Sequence, residues 1–252
     1  MKKPKEKINI PAIDQSIIDA AKENIAKVPE MKELDNASRE LLPLLSEMKT
    51  LTDQMTAYYG DGNYFKNKTL REEMHVNFLE TAKKYRILSK KFKEAFGNRS
   101  KEQKRKIAEK IKKEGKLIEY DLMTFIDSCE EILDEIQREK ISAENLTDAD
   151  LAKFKELEAK MTASMDRLKN SAENQEMLKK EHYHSSDFTS FLLYTERFKE
   201  AMAKFISRVE KKEKLNPKLL KNNPSLKNES GTPENIFHEY NELIKEYNKI
   251  AK

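Results

Sequence analysis

Tryptophan is absent, cysteine occurs once, and no proline stands between Leu44 and Asn216. The single cysteine, Cys129, excludes an intrachain disulfide. Proline removes a helix N–H and clashes with the turn before it, so a gap of this length is one that few folds other than helical ones show. Only five glycines are present, and none forms a phosphate-cradling loop. No run of about 20 apolar residues exists, so no membrane-spanning helix is expected. Charge of one sign is also lacking: 49 Lys and Arg against 45 Asp and Glu leave a net of +4, which implies no uniform attraction to nucleic acid. Met1-Lys2-Lys3-Pro4-Lys5 has the charge of a signal n-region, but Asn9, Pro11 and Asp14 interrupt any apolar segment after it. The expectation is either a cytoplasmic protein or one whose targeting segment lies upstream of Met1.

What the chain does have is charge and periodicity. Charged residues make up 37% and hydrophobic residues another 37%, a balance that suits long amphipathic helices with a narrow buried stripe. Residues 1–12 read as a flexible basic arm. Asp14 caps a short helix carrying Ile17, Ile18, Ala21 and Ile25, which Pro29 ends. The next runs to about Tyr59 on Leu34, Leu41, Leu45, Met48, Leu51 and Met55, with a kink expected at Pro43. After a turn, Asn67 or Thr69 caps a third helix carrying Leu70, Met74, Phe78, Tyr85, Leu88, Phe92 and Phe96, which Gly97-Asn98 stops. Ser100 with Gln103 has capping-box spacing and opens a fourth helix on Ile107, Ile111, Ile118, Leu122, Phe125, Cys129, Ile132 and Ile136, with Gly115 marking a bend.

Thr147 with Asp150 repeats the capping spacing before a fifth helix on Leu151, Phe154, Leu157, Met161, Met165 and Leu168, whose end falls between Asn170 and Ser185. Ser186 or Asp187 caps a sixth on Phe188, Phe191, Tyr194, Phe198, Met202, Phe205 and Val209. Residues 214–231 lose periodicity and read as a loop. Thr232-Pro233 starts a last helix on Ile236, Tyr240, Leu243, Tyr247 and Ile250. At about 1.5 Å per residue the long helices are expected to measure roughly 40–58 Å. The fold class is all-α: an elongated up-and-down antiparallel bundle of six to seven helices, forming one domain over residues 13–251.

Tyr58-Tyr59-Gly60-Asp61-Gly62-Asn63-Tyr64-Phe65 stands out as the hairpin between two long helices. It holds two of the five glycines and four of the 11 Phe and 9 Tyr residues. Its one carboxylate, Asp61, falls far short of the six to eight oxygens that calcium takes. Tyr58, Tyr59, Asp61, Tyr64, Tyr240 and Tyr247 would line an amphipathic ligand cavity if the last helix packed near this turn. His182 and His184 form the best metal-like cluster, yet an i, i+2 pair diverges on a helix, and no metal is assigned. His75 and His238 read as surface residues. Cys129 falls on a buried stripe and reads as an inert core thiol.

Arg99 to Lys116 contains nine basic residues and three Glu, a local +6 that leaves −2 for the rest. Arg99, Lys101, Lys104, Arg105, Lys106, Lys110, Lys112 and Lys113 are the candidate anion or partner surface. No aromatic interleaves these charges, as single-stranded nucleic-acid binders require. A solvated helix face is the simpler reading.

Three stretches together resemble a known family. Leu41-Leu42-Pro43-Leu44-Leu45 leads through Met48 and Leu51 into the aromatic turn. Glu72-Glu73-Met74-His75 then opens an aromatic-rich helix ending at Phe96, followed by Leu117 to Ile136. The chain closes on Phe237-His238-Glu239-Tyr240-Asn241-Glu242-Leu243-Ile244-Lys245-Glu246-Tyr247-Asn248. Over roughly residues 34–251 this resembles the YiiG-like family of bacterial proteins, an all-helical domain of unknown function. Members are often lipoproteins, so the resemblance implies a cell-envelope location, in the periplasm or at the membrane through a lipid anchor that this chain does not carry. The family supplies no catalytic residues. Its turn tends to be followed by acids, whereas Lys66-Asn67-Lys68 follows here, which weakens any cation-binding role.

With no nucleophile elbow, paired His/acid motif or phosphate loop, the expected function is non-enzymatic, without cofactors: an envelope helical bundle that binds a partner protein or envelope component. The alternative is a cytoplasmic nucleic-acid-associated protein using residues 99–116.

Overall fold

The computed structural model describes residues 12–25, 27, 29–60, 67–216, 220, 222, 225 and 228–251. Among the described residues every regular element is helical, as expected of an all-α chain. Eight α-helices are described among these residues: α1 (Gln15–Ile25), α2 (Lys32–Gly60), α3 (Lys68–Lys113), α4 (Leu117–Glu139), α5 (Leu151–Glu173), α6 (Gln175–Lys180), α7 (Thr189–Glu210) and α8 (Pro233–Ile250). Where the sequence pattern reads one bundle, the backbone groups into two compact units, Met1–Arg105 and Lys106–Lys252. Each is described by itself.

In the first unit, Asp14 opens α1 by accepting the Ser16 N–H at 2.8 Å. Asp35 reaches back from the first turn of α2 to the Met31 N–H at 2.8 Å, so a carboxylate sits at the positive end of the helix. α2 continues through Pro43 to Gly60. Asn67 caps α3, accepting the Leu70 N–H at 3.0 Å. The two long helices run antiparallel: the Thr81 hydroxyl donates to Glu47 and the Lys91 ammonium to Glu40, so rising numbers in α3 meet falling numbers in α2. Ile18, Ala37, Leu41, Leu42, Leu44, Tyr58 and Met74 are buried.

The expected helix break at Gly97-Asn98 does not occur, and Ser100 starts nothing. α3 runs unbroken for 46 residues, or roughly 69 Å, longer than any helix anticipated. A glycine inside a helix costs about 1 kcal/mol against alanine. Ending the helix and nucleating another orphans several backbone groups at each new terminus, which costs more. The helix ends instead at Gly115, whose φ of 70° is left-handed. There the Lys116 N–H donates to the Ile111 carbonyl and the Gly115 N–H to the Lys112 carbonyl, a Schellman cap.

The second unit is a four-helix bundle of α4, α5, α7 and α8, each antiparallel to its sequence neighbour. α4 meets α5 through Glu131–Lys160 at 2.6 Å and a buried hydroxyl pair, Ser128 and Ser164, at 2.8 Å. Lys155 meets Glu210 at 2.8 Å and Lys169 meets Glu196, joining α5 to α7. Phe198 packs on Tyr240 and Phe191 on Tyr247, joining α7 to α8. One continuous core fills the bundle. Its largest members, Phe125, Phe154, Phe188, Phe191, Phe198 and Phe205, are at most 1% exposed. Phe154 meets Phe205 edge to face at 5.1 Å, a geometry worth about 0.5–1.5 kcal/mol beyond burial.

The bundle's helix ends refine the expected boundaries. Asp150 is itself the N-cap of α5, accepting the Lys153 N–H at 3.1 Å, while Thr147 lies in a preceding 3-10 turn. Asn174 closes α5 and opens α6 by accepting the Glu176 and Met177 N–H groups. Asp187 accepts the His184 N–H at 2.9 Å in a 3-10 turn ahead of α7. Thr232 caps α8, accepting the Asn235 N–H at 3.1 Å, with Pro233 in the first turn. Lys140, His182 and Lys212 each sit in the left-handed region, at φ of 56° to 58°, following α4, α6 and α7. Each repeats the Schellman pairing, as in Ile141 N–H to Ile136 carbonyl at 2.9 Å.

Candidate binding surfaces

In the first unit, the antiparallel meeting of α2 and α3 leaves an open groove of about 410 Å³. Pro43 and Leu44 line it from α2, and Ile87 and Leu88 from α3, with Glu40, Glu47 and Lys84 along the rims. Two of the rim groups are already held, Glu40 by Lys91 at 2.6 Å and Glu47 by the Thr81 hydroxyl at 3.1 Å. The lining is mainly apolar, and Ile87 stays 70% exposed. A site of this kind can take an apolar side chain or a helix face.

Sequence reasoning missed this groove. It took Leu88 as core and Pro43 as a kink, and left Ile87 unassigned. The available signal was the run Leu41 to Leu45, which is wider than one helical stripe and so must turn apolar residues out of the seam.

A second concavity in the same unit, of about 250 Å³, lies at the start of α2. Its charged lining is Glu30, Glu33 and Glu102 against Lys32 and Arg99. Arg99 donates to Glu102 at 3.0 Å while its Nε is buried without a hydrogen-bond partner. Acids outnumber bases here, so the helix terminus does not make an anion site.

The expected tyrosines divide between the units. Tyr58 is buried and donates its hydroxyl to the Asn67 carbonyl at 2.7 Å, and its ring meets Tyr59 edge to face at 5.3 Å. It therefore ties the end of α2 to the start of α3. Tyr240 donates to Glu130 at 3.0 Å, and burial followed by the charge of Glu130 raises its phenol far above the usual range. Tyr247 packs against Phe191. Asp61 and Tyr64 lie outside the described residues.

The basic residues occupy the last third of α3 and the turn after it. Lys101, Arg105, Lys106, Lys110, Lys112 and Lys113 are exposed, whereas Arg99 and Lys104 are half-buried. Several are engaged locally: Lys112 lies 4.9 Å from the Tyr120 ring centre, and Lys110 and Lys116 approach Glu114 at 3.8 and 3.7 Å.

His182 occupies the left-handed cap position and His184 the 3-10 turn. No group of three or more His, Cys, Asp or Glu among the described residues is placed to hold a metal ion. Cys129 is fully buried, and burial pushes its thiol well above its ordinary range, so it stays protonated at neutral pH. No helix among the described residues is long and apolar enough to cross a membrane.

No curated protein and no solved structure matches the chain. A family model does, over residues 2–249: it is that of DUF3829, a protein of unknown function. With the match running over nearly the whole chain, this protein belongs to the DUF3829 family.

Proposed function

We propose that this protein is a non-enzymatic bacterial cell-envelope protein of the YiiG-like kind, and that its first unit binds a partner protein or envelope component along the α2–α3 groove. The groove carries the reading: four apolar side chains line a solvent-open channel whose charged groups sit on the rims. Binding surfaces on soluble proteins are apolar patches of this kind with polar edges. Leu70, Val76, Leu79 and Phe96, all exposed on α3, add apolar surface in the same unit. The envelope location rests on the family resemblance alone. The nucleic-acid alternative has weaker support, because no aromatic interleaves the basic residues from Arg99 to Lys113.

The test is site-specific photo-crosslinking in cells, with the gene expressed behind its natural upstream sequence. A crosslinker at Ile87 is expected to trap one product in the envelope fraction, and Leu44→Glu is expected to abolish it. A crosslinker at Leu193, an exposed apolar position on α7, is expected to trap none. Equal trapping from both positions sinks the groove. Full protection from protease added outside spheroplasts sinks the envelope location.

A further inference from the structure

Helix α4 begins without a cap of its own. Its N-cap residue is Lys116, which makes no side-chain capping bond and sets a cation at the positive end of the helix dipole. The first N–H groups of α4 are nevertheless held. Glu181 accepts from Ile118 at 3.0 Å and from Glu119 at 3.2 Å, across more than sixty residues of chain. The residue before it, Lys180, donates to the Gly115 carbonyl at 3.1 Å, at the negative end of α3. Two adjacent side chains of opposite charge thus complement two opposite helix poles on either side of one turn.

Both belong to a short strap, residues 174–188, that crosses between α5 and α7. Leu178, Tyr183 and Phe188 pin it to the core at 2%, 6% and 1% exposure. The left-handed His182 turns the chain just after Glu181. A Cβ on Gly115 would lie 2.8 Å from the Lys180 ammonium, so the lysine tip would have to swing away from the Gly115 carbonyl.

We propose that this strap is a clasp that controls local opening of the α3–α4 turn. With it closed, the end of α3 and the start of α4 are held as one piece. When Glu181 and Lys180 let go, both open together while the pinned strap and the rest of the bundle stay folded. Cooperative sub-global opening of this kind is general in proteins.

Amide hydrogen exchange on the full chain, resolved by residue, tests this. Glu181→Gln weakens the charged acceptor without removing the side chain, and Lys180→Met removes the donor. Each is expected to lower protection about tenfold or more both at Ile118 and Glu119 and at Gly115 and Lys116. Amides of α5 and α7 are expected to stay unchanged. Gly115→Ala, which both displaces Lys180 and strains the left-handed turn, is expected to give the same pattern. Three results overturn the clasp: unchanged protection at the turn, loss confined to the end that each residue touches, or an equal fall throughout the bundle.

Discussion

Phenylalanine is treated differently in the two units of this protein. The second unit holds six of them at 1% exposure or less, meeting one another and nearby tyrosines mostly edge to face. In the first unit Phe78 and Phe92 are half-buried, and Phe96 is 56% exposed and stacked on Phe92 at 6.3 Å. The amphipathic pattern is similar in both; the number of helices around it is not. Four antiparallel helices enclose a core on all sides, whereas an antiparallel pair with the short α1 leaves part of its stripe facing outward. One unit is thereby built for stability, and the other keeps apolar surface available.

The largest test of this contrast is truncation of one phenylalanine on each side. Phe198→Ala, at a fully buried site, is expected to cost about 3–5 kcal/mol in denaturant unfolding of the second unit. Phe96→Ala is expected to change the first by no more than about 0.5 kcal/mol. Comparable costs would erase the distinction. Next comes the cap of α8: Thr232→Ala is expected to cost about 1 kcal/mol, read as a lower denaturation midpoint for the second unit alone. Smaller, and of opposite sign, are the left-handed lysines. Lys140→Gly and Lys212→Gly are each expected to gain about 1 kcal/mol by removing the Cβ strain at positive φ. A loss at either site would mean that the lysine side chain outweighs the strain.

The subtlest test is alkaline pH. Burial raises the Cys129 thiol, and burial first, with nearby acidic charges, raises Tyr183 to about 12. Acids with raised folded pKa values stabilise fully below their unfolded values and lose that contribution as pH rises. The second unit is therefore expected to weaken above about pH 8.5 as unfolded Cys129 ionises, and again between about pH 10 and 12 as unfolded Tyr183 does. Cys129→Ala is expected to flatten the first step and Tyr183→Phe to reduce the second, to which Tyr240 also contributes. Unaltered profiles would mean other groups govern the alkaline limb.

Most of the helices were legible because their signals are local. Asp14, Asn67 and Thr232-Pro233 each mark a start within four residues of the bond they make. The buried stripe of α4, from Ile118 to Ile136, could be read at its three-and-four spacing. The start of α4 could not, since its cap, Glu181, arrives from a distant part of the chain. Gly97 misled for the opposite reason: no atom lies close enough to require a glycine there, and the helix simply carries it. The groove escaped because an apolar residue on a helix face reads the same whether the structure covers it or not. Only the partner helix decides, and α2 leaves Ile87 70% exposed.

The hydroxyl pair between α4 and α5 has a consequence beyond stability. Ser128 and Ser164 also each approach a carbonyl of their own helix, Phe125 and Met161, so two protons are shared among three short contacts. Either serine could become alanine without orphaning the other, which keeps its own carbonyl. What would vanish is an axial key. Slipping one helix past its neighbour by a turn, about 5.4 Å, would part the hydroxyls and set each against hydrocarbon. In a bundle whose stripe repeats at nearly every turn, polar rungs such as this one, and the Ser171 hydroxyl donating to Asp121 nearer the start of α4, tell α4 which residue of α5 to face.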